Sequence, residues 1–294
     1  MPIPPRHLNT QKKGIASAGN GKLLRNAICS GSLDSVVDLI KCDVEANKEY
    51  ESFIYSSELL FYTLADLKNF KMLKKALNII GFSKLSLLLF VRNPASHAIS
   101  WHGEMTKSAM TTSSINEFID NYNHPAGMLR LVRLVDKIHD ESLSVNLEFR
   151  NYSYLRGKVV DTAWNWLGIS VPHKALPSSS PINRSLTESE GELCRQLAKA
   201  GCNPKSLASA FSLSLPNLKP TYPKPTLESL NNMYARHLEN LLALNDCLPA
   251  NERLALSAAE EDVETSSVPH NEYLFSSEQL LVIAQTFASY LKER

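Results

Sequence analysis

The most regular hydrophobic pattern in the chain lies between residues 85 and 101. An unbroken apolar run, Leu87–Val91, is long enough for one buried strand and too short for a typical helix. It stops at Arg92-Asn93-Pro94. Because proline suits the first turn of a helix, the pattern predicts a strand and then a helix with Asn93 as its N-cap. This order sets a permanent charge and free backbone N–H groups at the carboxyl end of a strand, where α/β sheets bind anionic ligands.

Strand and helix patterns alternate through the first 170 residues. Short strands are predicted at Glu51–Tyr55 and Leu143–Phe149. Gly81 is expected to end the helix before the central strand, and Ser114 with Glu117 has the spacing of a capping box. Apolar residues at helical spacing predict helices over Lys22–Ser30, Leu33–Ile40, Leu64–Ile80, Ser113–Tyr122, Met128–Ile138 and Leu155–Leu167. This alternation argues for a parallel sheet with crossover helices.

The composition changes after residue 170. Residues 171–185 are rich in proline and serine and predict a linker, and residues 257–272 are acidic and predict a mobile loop. Helices are predicted over Leu186–Ala200, Leu227–Leu244 and Ser276–Leu291, the first capped by Ser185 or Thr187. We therefore expect an α/β domain over residues 1–170 and a helical C-terminal part over 171–294 that packs on the same domain.

Composition and charge exclude several classes of protein. The 294 residues are 44% hydrophobic and 21% charged, which suits a globular fold with a sizeable core. A net charge of +1 gives no electrostatic case for binding nucleic acid or an anionic membrane. The five scattered cysteines form no C-x-x-C pair and predict reduced thiols in the cytoplasm. No stretch is apolar enough to cross a bilayer, and the N-terminus lacks a signal-peptide core.

Arg92 and Ser100 form the candidate anion site. They lie eight residues apart, with Arg92 at the strand end and Ser100 about two turns into the helix. A guanidinium group donates two parallel hydrogen bonds to phosphate oxygens, and a hydroxyl adds one short donor. The alternative interpretation is an ordinary surface arginine near a helical serine, which the spacing alone does not exclude.

A resemblance to a known family adds weight to the anion site. The segment V-R-N-P-A-S-H-A-I-S-W resembles the 3′-phosphate-binding motif of sulfotransferases, which use 3′-phosphoadenosine 5′-phosphosulfate (PAPS). Arg92, Asn93, Pro94 and Ser100 match that motif residue by residue. The turn around Ser56-Ser57-Glu58, the segment Val145–Ile169 and the start Asn183-Arg184-Ser185-Leu186 are similar to further pieces of a bacterial branch. In order along the chain, these pieces cover most of residues 15–200.

The resemblance implies a fold, a reaction and site residues. The fold would be the sulfotransferase-like, P-loop type: a central parallel sheet flanked by helices. Arg92 and Ser100 would hold the 3′-phosphate of PAPS, and Glu58 would be the general base that takes the acceptor proton. Glu58 has an alternative role as a carboxylate favoured by the positive end of a helix. The acceptor would be a hydroxyl or amine of a carbohydrate or another small molecule, and the chemistry would need no metal.

One element of that family is missing from the sequence pattern. Sulfotransferases open with a strand and a Gly/Thr/Ser/Lys-rich loop whose N–H groups bind the 5′-phosphosulfate. No strand pattern precedes Thr10, Lys12, Lys13 and Gly14, and the segment Gly19-Asn20-Gly21-Lys22 is either a phosphate loop or a plain turn. The alternatives are therefore an active sulfotransferase with a substitute loop, a catalytically inactive sulfotransferase-like binding or scaffold protein, or a fragment of a longer enzyme.

Other polar and aromatic residues near the motif carry weaker hypotheses. His97 and His102 lie five apart, which does not fit a metal pair on one helix face. His102 could face an acceptor, and Trp101 could line a nucleotide pocket, but packing roles are expected for both. Arg150, Arg156 and Lys158 follow or flank the late strand and could add positive charge near a 3′-phosphate, with solvated surface charge as the alternative.

Overall fold

The computed structural model describes residues 21–137, 143–168, 184–266 and 273–292. The predicted loop at the N-terminus and the predicted linker over 171–185 lie almost entirely outside the described residues, as does the second half of the acidic segment. Within the described ranges the protein is mostly helical and contains a small parallel sheet. In these ranges, no helix has both the length and the apolar character needed to cross a membrane.

The N-terminal helices form one hydrophobic cluster. They are α1 (Gly21–Cys29), α2 (Leu33–Ala46), α3 (Leu60–Leu64) and α4 (Leu67–Ile80). The single helix predicted over Leu64–Ile80 is divided, because Asp66 has an extended backbone and its side chain accepts the Asn69 N–H to cap α4. The buried side chains of this cluster include Leu24, Ile28, Val36, Ile40 and Phe70.

The sheet consists of β1 (Lys84–Val91) and β2 (Ser144–Asn151), which pair in parallel. Lys84 lies opposite Ser144 and Val91 opposite Asn151, so the two strands are paired along their whole length. The predicted parallel pairing is therefore confirmed. Helices α5 (Pro94–Lys107), α6 (Ile115–Asp120) and α7 (His124–Lys137) connect the strands. The predicted capping box of Ser114 and Glu117 is present at the start of α6.

The sheet is less buried and smaller than the sequence predicts. Leu87 and Leu89 pack against the N-terminal cluster, but along β1 only Val91 is fully buried. The strand predicted at Glu51–Tyr55 is wrong, because this segment pairs with neither strand of the sheet. Side-chain contacts position this segment instead of strand pairing. The Tyr55 hydroxyl donates to Asp43 (2.5 Å), and the Phe53 ring contacts the Phe82 ring edge-on.

The C-terminal helices pack in two places. They are α8 (Val159–Trp166), α9 (Glu188–Lys199), α10 (Lys205–Ser214), α11 (Leu227–Asn245) and α12 (Ser277–Lys292), with short 3-10 turns at Ala250–Glu252 and Ala258–Glu260. Helix α11 buries Leu230, Met233 and Leu241 in the same core as Val91 and Phe149 of the sheet. Helices α9, α10 and α12 form a separate small cluster around Cys194, Phe211 and Val282. Helix α10 was not expected from the sequence.

Gly81 ends α4 in a left-handed conformation, with φ at 97°. Replacing Gly81 with alanine is expected to lower the free energy of unfolding by about 1–2 kcal/mol, because a Cβ disfavours this conformation. Gly103→Ala within α5 is the matched control: both sites have open space for a Cβ, but Gly103 has helical geometry. The control should be neutral or stabilising by up to about 1 kcal/mol. Urea denaturation of both variants measures the difference, and equal losses would contradict the backbone explanation.

Candidate functional site

Arg92 lies directly after β1, at the carboxyl edge of the sheet, as the sequence predicts. Its guanidinium carbon is 5.7 Å from the ring centre of Tyr152, which follows β2, and the Tyr152 N–H donates to the Val91 carbonyl at 2.6 Å. The side chain is half-buried. No carboxylate among the described residues lies within ion-pair distance of it. A cation thus lies against an aromatic face at the carboxyl edge of the sheet.

Arg150, near the end of the neighbouring strand, has a different environment. Its Nε donates to both oxygens of Glu252 at 3.0 Å, and the Asn151 N–H donates to the same carboxylate. Burial alone would raise the pKa of Glu252, but the hydrogen bonds from Arg150 and Asn151 outweigh it and lower the pKa. The expected role of Arg150 as solvated charge or as an extra phosphate contact is therefore corrected: an internal carboxylate that is 2% exposed neutralises it.

The N-terminus of α5 is capped by a residue that the sequence analysis missed. The Ala95 and Ser96 N–H groups donate to the carboxylate of Glu261 at 3.1 and 2.7 Å, and the Tyr234 hydroxyl donates to it as well. Asn93 is in the N-cap position but makes no side-chain cap. The N–H groups that the sequence predicts to be free are thus occupied by a carboxylate from a distant segment, because unpaired N–H groups and the helix dipole attract negative charge.

The first half of the acidic segment, which supplies Glu261, packs against the start of α5 and against α11. Residues 257–266 are described, and within them Ala258–Glu260 forms a turn and Glu261 is 6% exposed. Just before it, the Asn93 side chain accepts the Ala255 N–H at 3.4 Å. The expectation of a mobile loop over 257–272 is therefore corrected for its first half. The remainder lies outside the described residues.

Ser100, the second predicted contact, lies in the second turn of α5. It is half-buried, and the described part of the chain supplies no hydrogen-bond partner for its hydroxyl. This hydroxyl is consistent with the expected role, which needs a free donor on the same helix that Arg92 precedes. The structure places Arg92 and Ser100 on one continuous strand–helix unit, as the spacing predicts.

Glu58, the predicted general base, lies in a turn two residues before α3 and has an exposed side chain. It does not follow a strand, so the expected strand–turn context is wrong. Helix α3, which follows Glu58, contacts the motif helix α5: the Tyr62 ring is stacked on Trp101, with ring centres 6.2 Å apart and planes at 29°. The segment that begins with Glu58 therefore reaches the helix that carries Ser100.

A cluster of histidine and aromatic rings joins α3, α5 and α7. The rings of His97 and His124 are stacked, with centres 4.1 Å apart and planes at 9°. The Tyr122 hydroxyl is hydrogen-bonded to Nδ1 of His97 at 2.9 Å, and the Tyr62 hydroxyl to Nδ1 of His124 at 3.0 Å. Trp101 packs against both histidines. This surface is the principal feature near Arg92 that the sequence analysis did not find.

Both histidines of this cluster are neutral at neutral pH. Burial lowers the pKa of His97 to about 4, and the positive charge of Arg92 adds to the effect. Burial also lowers the pKa of His124 to about 3, with a further contribution from His97. The i, i+4 spacing of His97 and Trp101 on one helix face was visible in the sequence, but the contribution of His124 from α7 was not.

The structure also shows the environments of His102 and of Gly21, two further residues from the sequence analysis. His102 is buried, and its Nε2 is 3.0 Å from the Ser113 carbonyl, so it is a core residue and not an acceptor contact. Across the described ranges, no group of three or more histidine, cysteine or carboxylate side chains has the arrangement of a metal site. Gly21, from the second candidate phosphate loop, is buried at the start of α1, and its N–H donates to the Ser56 carbonyl.

No protein-family model matches the chain. Comparison with curated proteins and with solved structures finds no significant similarity.

Proposed function

We propose that the protein is a sulfotransferase-like enzyme that transfers a sulfuryl group from PAPS to a hydroxyl or amine of a carbohydrate or other small acceptor. The observation that supports this most is the contrast between Arg92 and Arg150. Both lie at the carboxyl ends of paired strands, but Arg150 is neutralised by Glu252 while Arg92 lies against Tyr152 without a carboxylate partner among the described residues. A half-buried cation without a counter-ion favours an anionic ligand.

The proposed roles follow from position and chemistry. Arg92 donates two parallel hydrogen bonds to the 3′-phosphate, and the Ser100 hydroxyl adds a third donor from α5. The exposed carboxylate of Glu58 takes the proton as the acceptor oxygen or nitrogen attacks sulfur. The bond between sulfur and the 5′-phosphate oxygen breaks, and adenosine 3′,5′-bisphosphate leaves. The neutral histidine and tyrosine cluster between Arg92 and α3 offers polar contacts to the acceptor without adding competing charge.

A second candidate function is a catalytically inactive sulfotransferase-like binding protein. Two observations favour it. The strands β1 and β2 are paired along their entire length, which leaves no ladder position between them for a strand that carries a phosphosulfate loop. The N–H groups at the start of α5 already bind Glu261. Binding of the 3′-phosphate through Arg92 is common to both candidates, and transfer of the sulfuryl group separates them.

Replacing Arg92 with alanine is expected to weaken the binding of adenosine 3′,5′-bisphosphate by roughly 10- to 100-fold, because charge-assisted hydrogen bonds are lost. Isothermal titration calorimetry measures the affinity. Arg133→Ala is the matched control, since this exposed arginine lies in the second half of α7, which leads back to the start of β2, and should leave the affinity unchanged. Unchanged affinity in the Arg92 variant, or equal losses in both, would remove the site assignment.

An activity assay distinguishes a transferase from an inactive binding protein. Wild-type protein is incubated with PAPS and a panel of phenol, amino-sugar and alcohol acceptors, and release of adenosine 3′,5′-bisphosphate is measured. Acceptor-dependent release that is lost with Arg92→Ala supports the transferase. Binding of the bisphosphate without release of product from PAPS supports the inactive binding protein, and absence of binding contradicts both.

A further inference from the structure

The hydrogen bond between Tyr122 and His97 determines which nitrogen of the His97 ring carries the proton. Tyr122 is 3% exposed, and within the described ranges the only partner of its hydroxyl is Nδ1 of His97, at 2.9 Å. Burial raises the pKa of Tyr122 well above its ordinary value, so the hydroxyl keeps its hydrogen. Leaving this buried hydrogen unpaired would cost free energy. Nδ1 is therefore the acceptor, and the neutral ring carries its proton on Nε2.

His124, the first residue of α7, is held in the same way. Its Nδ1 lies 3.0 Å from the hydroxyl of Tyr62, and burial raises the pKa of that hydroxyl as well. Donation from Tyr62 puts the proton of His124 on Nε2. In the described part of the chain, neither Nε2 has a hydrogen-bond partner, and neither Nε2 is buried without one. Both Nε2–H groups are therefore accessible to a ligand.

This arrangement leaves the two rings one kind of chemistry. A metal ion or a proton would need the lone pair on Nδ1, and that lone pair already accepts a hydrogen bond from a tyrosine. The rings can therefore act as neutral hydrogen-bond donors through Nε2. Burial, followed by the positive charge of Arg92, lowers the pKa of His97, so a cation lies close to the pair. Neutral donors beside a cation favour an oxyanion over an amine or a metal ion.

We infer that the Nε2–H groups of His97 and His124 form a subsite that donates hydrogen bonds to the oxygens of a sulfate group. The subsite is preorganised, because the two rings are stacked on one another and both pack against Trp101. Preorganised N–H donors stabilise the charge on a transferring group. In the proposed reaction their ligand would be the sulfuryl group, and this assignment alone rests on the proposed function.

The position of the proton is measured in the wild-type protein with ¹⁵N-labelled histidine, by long-range ¹H–¹⁵N correlation NMR at neutral pH. In both rings we expect a protonated Nε2 and an Nδ1 with the chemical shift of a hydrogen-bond acceptor. Titration with sodium sulfate, compared with sodium chloride at matched ionic strength, should move both Nε2–H signals to a saturating value. A proton on Nδ1 in either ring, or sulfate that moves the signals no more than chloride does, overturns the inference.

Two substitutions of His97 test which nitrogen binds the anion. His97→Asn keeps an oxygen near the position of Nδ1 that can accept from Tyr122, but it removes the Nε2 donor. Sulfate affinity, followed on the His124 signal, should fall about three- to tenfold, the effect of losing one hydrogen bond. His97→Gln places an amide N–H near the position of Nε2 and should keep most of the affinity. Circular dichroism melting curves verify that both variants fold, and wild-type affinity in His97→Asn, or an equal loss in His97→Gln, contradicts the inference.

Calorimetry with adenosine 3′,5′-bisphosphate separates this inference from the proposed function. If the bisphosphate binds through Arg92 while sulfate leaves both Nε2–H signals unmoved, the histidine subsite is wrong and the proposed function stands. If sulfate moves these signals but the bisphosphate does not bind, the histidine subsite stands and the proposed function is wrong.

Discussion

Replacing Glu190 with alanine is expected to lower the free energy of unfolding by about 3–5 kcal/mol, the cost of breaking a buried ion pair from one side. Glu190 is 0% exposed, and its oxygens accept from Arg184 at 2.6 and 2.8 Å. Arg184 also donates to the Leu215 and Phe211 carbonyls. Without Glu190 the guanidinium remains buried and lacks its counter-charge. Urea denaturation of the purified variant measures the loss.

The pairing of Glu190 also predicts a pH dependence. Burial would raise the pKa of Glu190, but hydrogen bonds from Arg184, Gln279 and the Thr187 N–H outweigh it and lower the pKa. A carboxyl whose folded pKa is lowered stabilises the protein above its ordinary pKa, and this contribution is lost as the pH falls through the folded value. The stability difference between wild type and Glu190→Ala should therefore be largest near neutral pH and should shrink as the pH falls below the ordinary value of 4.5.

Two further variants decide whether burial is the cause. Glu264→Ala removes an exposed pair with Lys224 and should leave the free energy of unfolding nearly unchanged. The double variant Arg184→Met with Glu190→Leu should lose less stability than Glu190→Ala, because no isolated charge remains buried. A loss in Glu264→Ala as large as that in Glu190→Ala would contradict the prediction, as would a double variant that is less stable than the single one.

Local features of the fold were predictable because their causes are local. Gly81 ends α4, Thr187, one of the two predicted caps, caps α9, and Pro94 begins α5 two residues after Arg92. In each case a side chain or a backbone angle acts within one helical turn of its own position. The parallel pairing of β1 and β2 also followed, since consecutive strands joined by helices have few other arrangements.

Features that depend on distant segments were not predictable from the pattern. Glu51–Tyr55 has the composition of a strand, but the side chains of Phe53 and Tyr55 find partners on neighbouring elements. Strand propensity is a preference for a half-buried pleated surface, and tertiary contacts override it. The stacking of His97 on His124 likewise requires α5 and α7 to meet, which no spacing along the chain reveals.

The charge environment of the candidate site was also not predictable from the sequence pattern. In the sequence, Arg92 and Arg150 are both arginines near the ends of predicted strands. Their difference arises from residues far along the chain: Glu252, 102 positions after Arg150, neutralises that arginine, while Tyr152 of a different strand end contacts Arg92. The Arg92–Ser100 spacing predicted that both residues lie on one strand–helix unit, and the structure places them there. Their binding of a 3′-phosphate stays a prediction. That spacing did not predict that Glu261 binds the N–H groups at the start of α5.

Replacing Glu261 with glutamine is expected to have opposite effects on stability and on anion binding. The free energy of unfolding should fall by roughly 2–4 kcal/mol, because the NH2 group that replaces one carboxylate oxygen cannot accept a hydrogen bond, and because the neutral amide no longer balances the helix dipole. Affinity for adenosine 3′,5′-bisphosphate should rise by about tenfold, because an incoming phosphate no longer competes with a carboxylate for the Ala95 and Ser96 N–H groups.

Glu260→Gln is the control for the Glu261 variant, because Glu260 is exposed and accepts hydrogen bonds from its own turn, from the Leu256 N–H and the Ser257 hydroxyl. Urea denaturation and calorimetry on the same samples give both quantities. A loss of stability without a gain in affinity would mean that the phosphate reaches Arg92 and Ser100 but not the N-terminus of α5. Glu261 would then be a structural cap alone, and the anion site would consist of two side chains without the backbone donors that a helix end supplies.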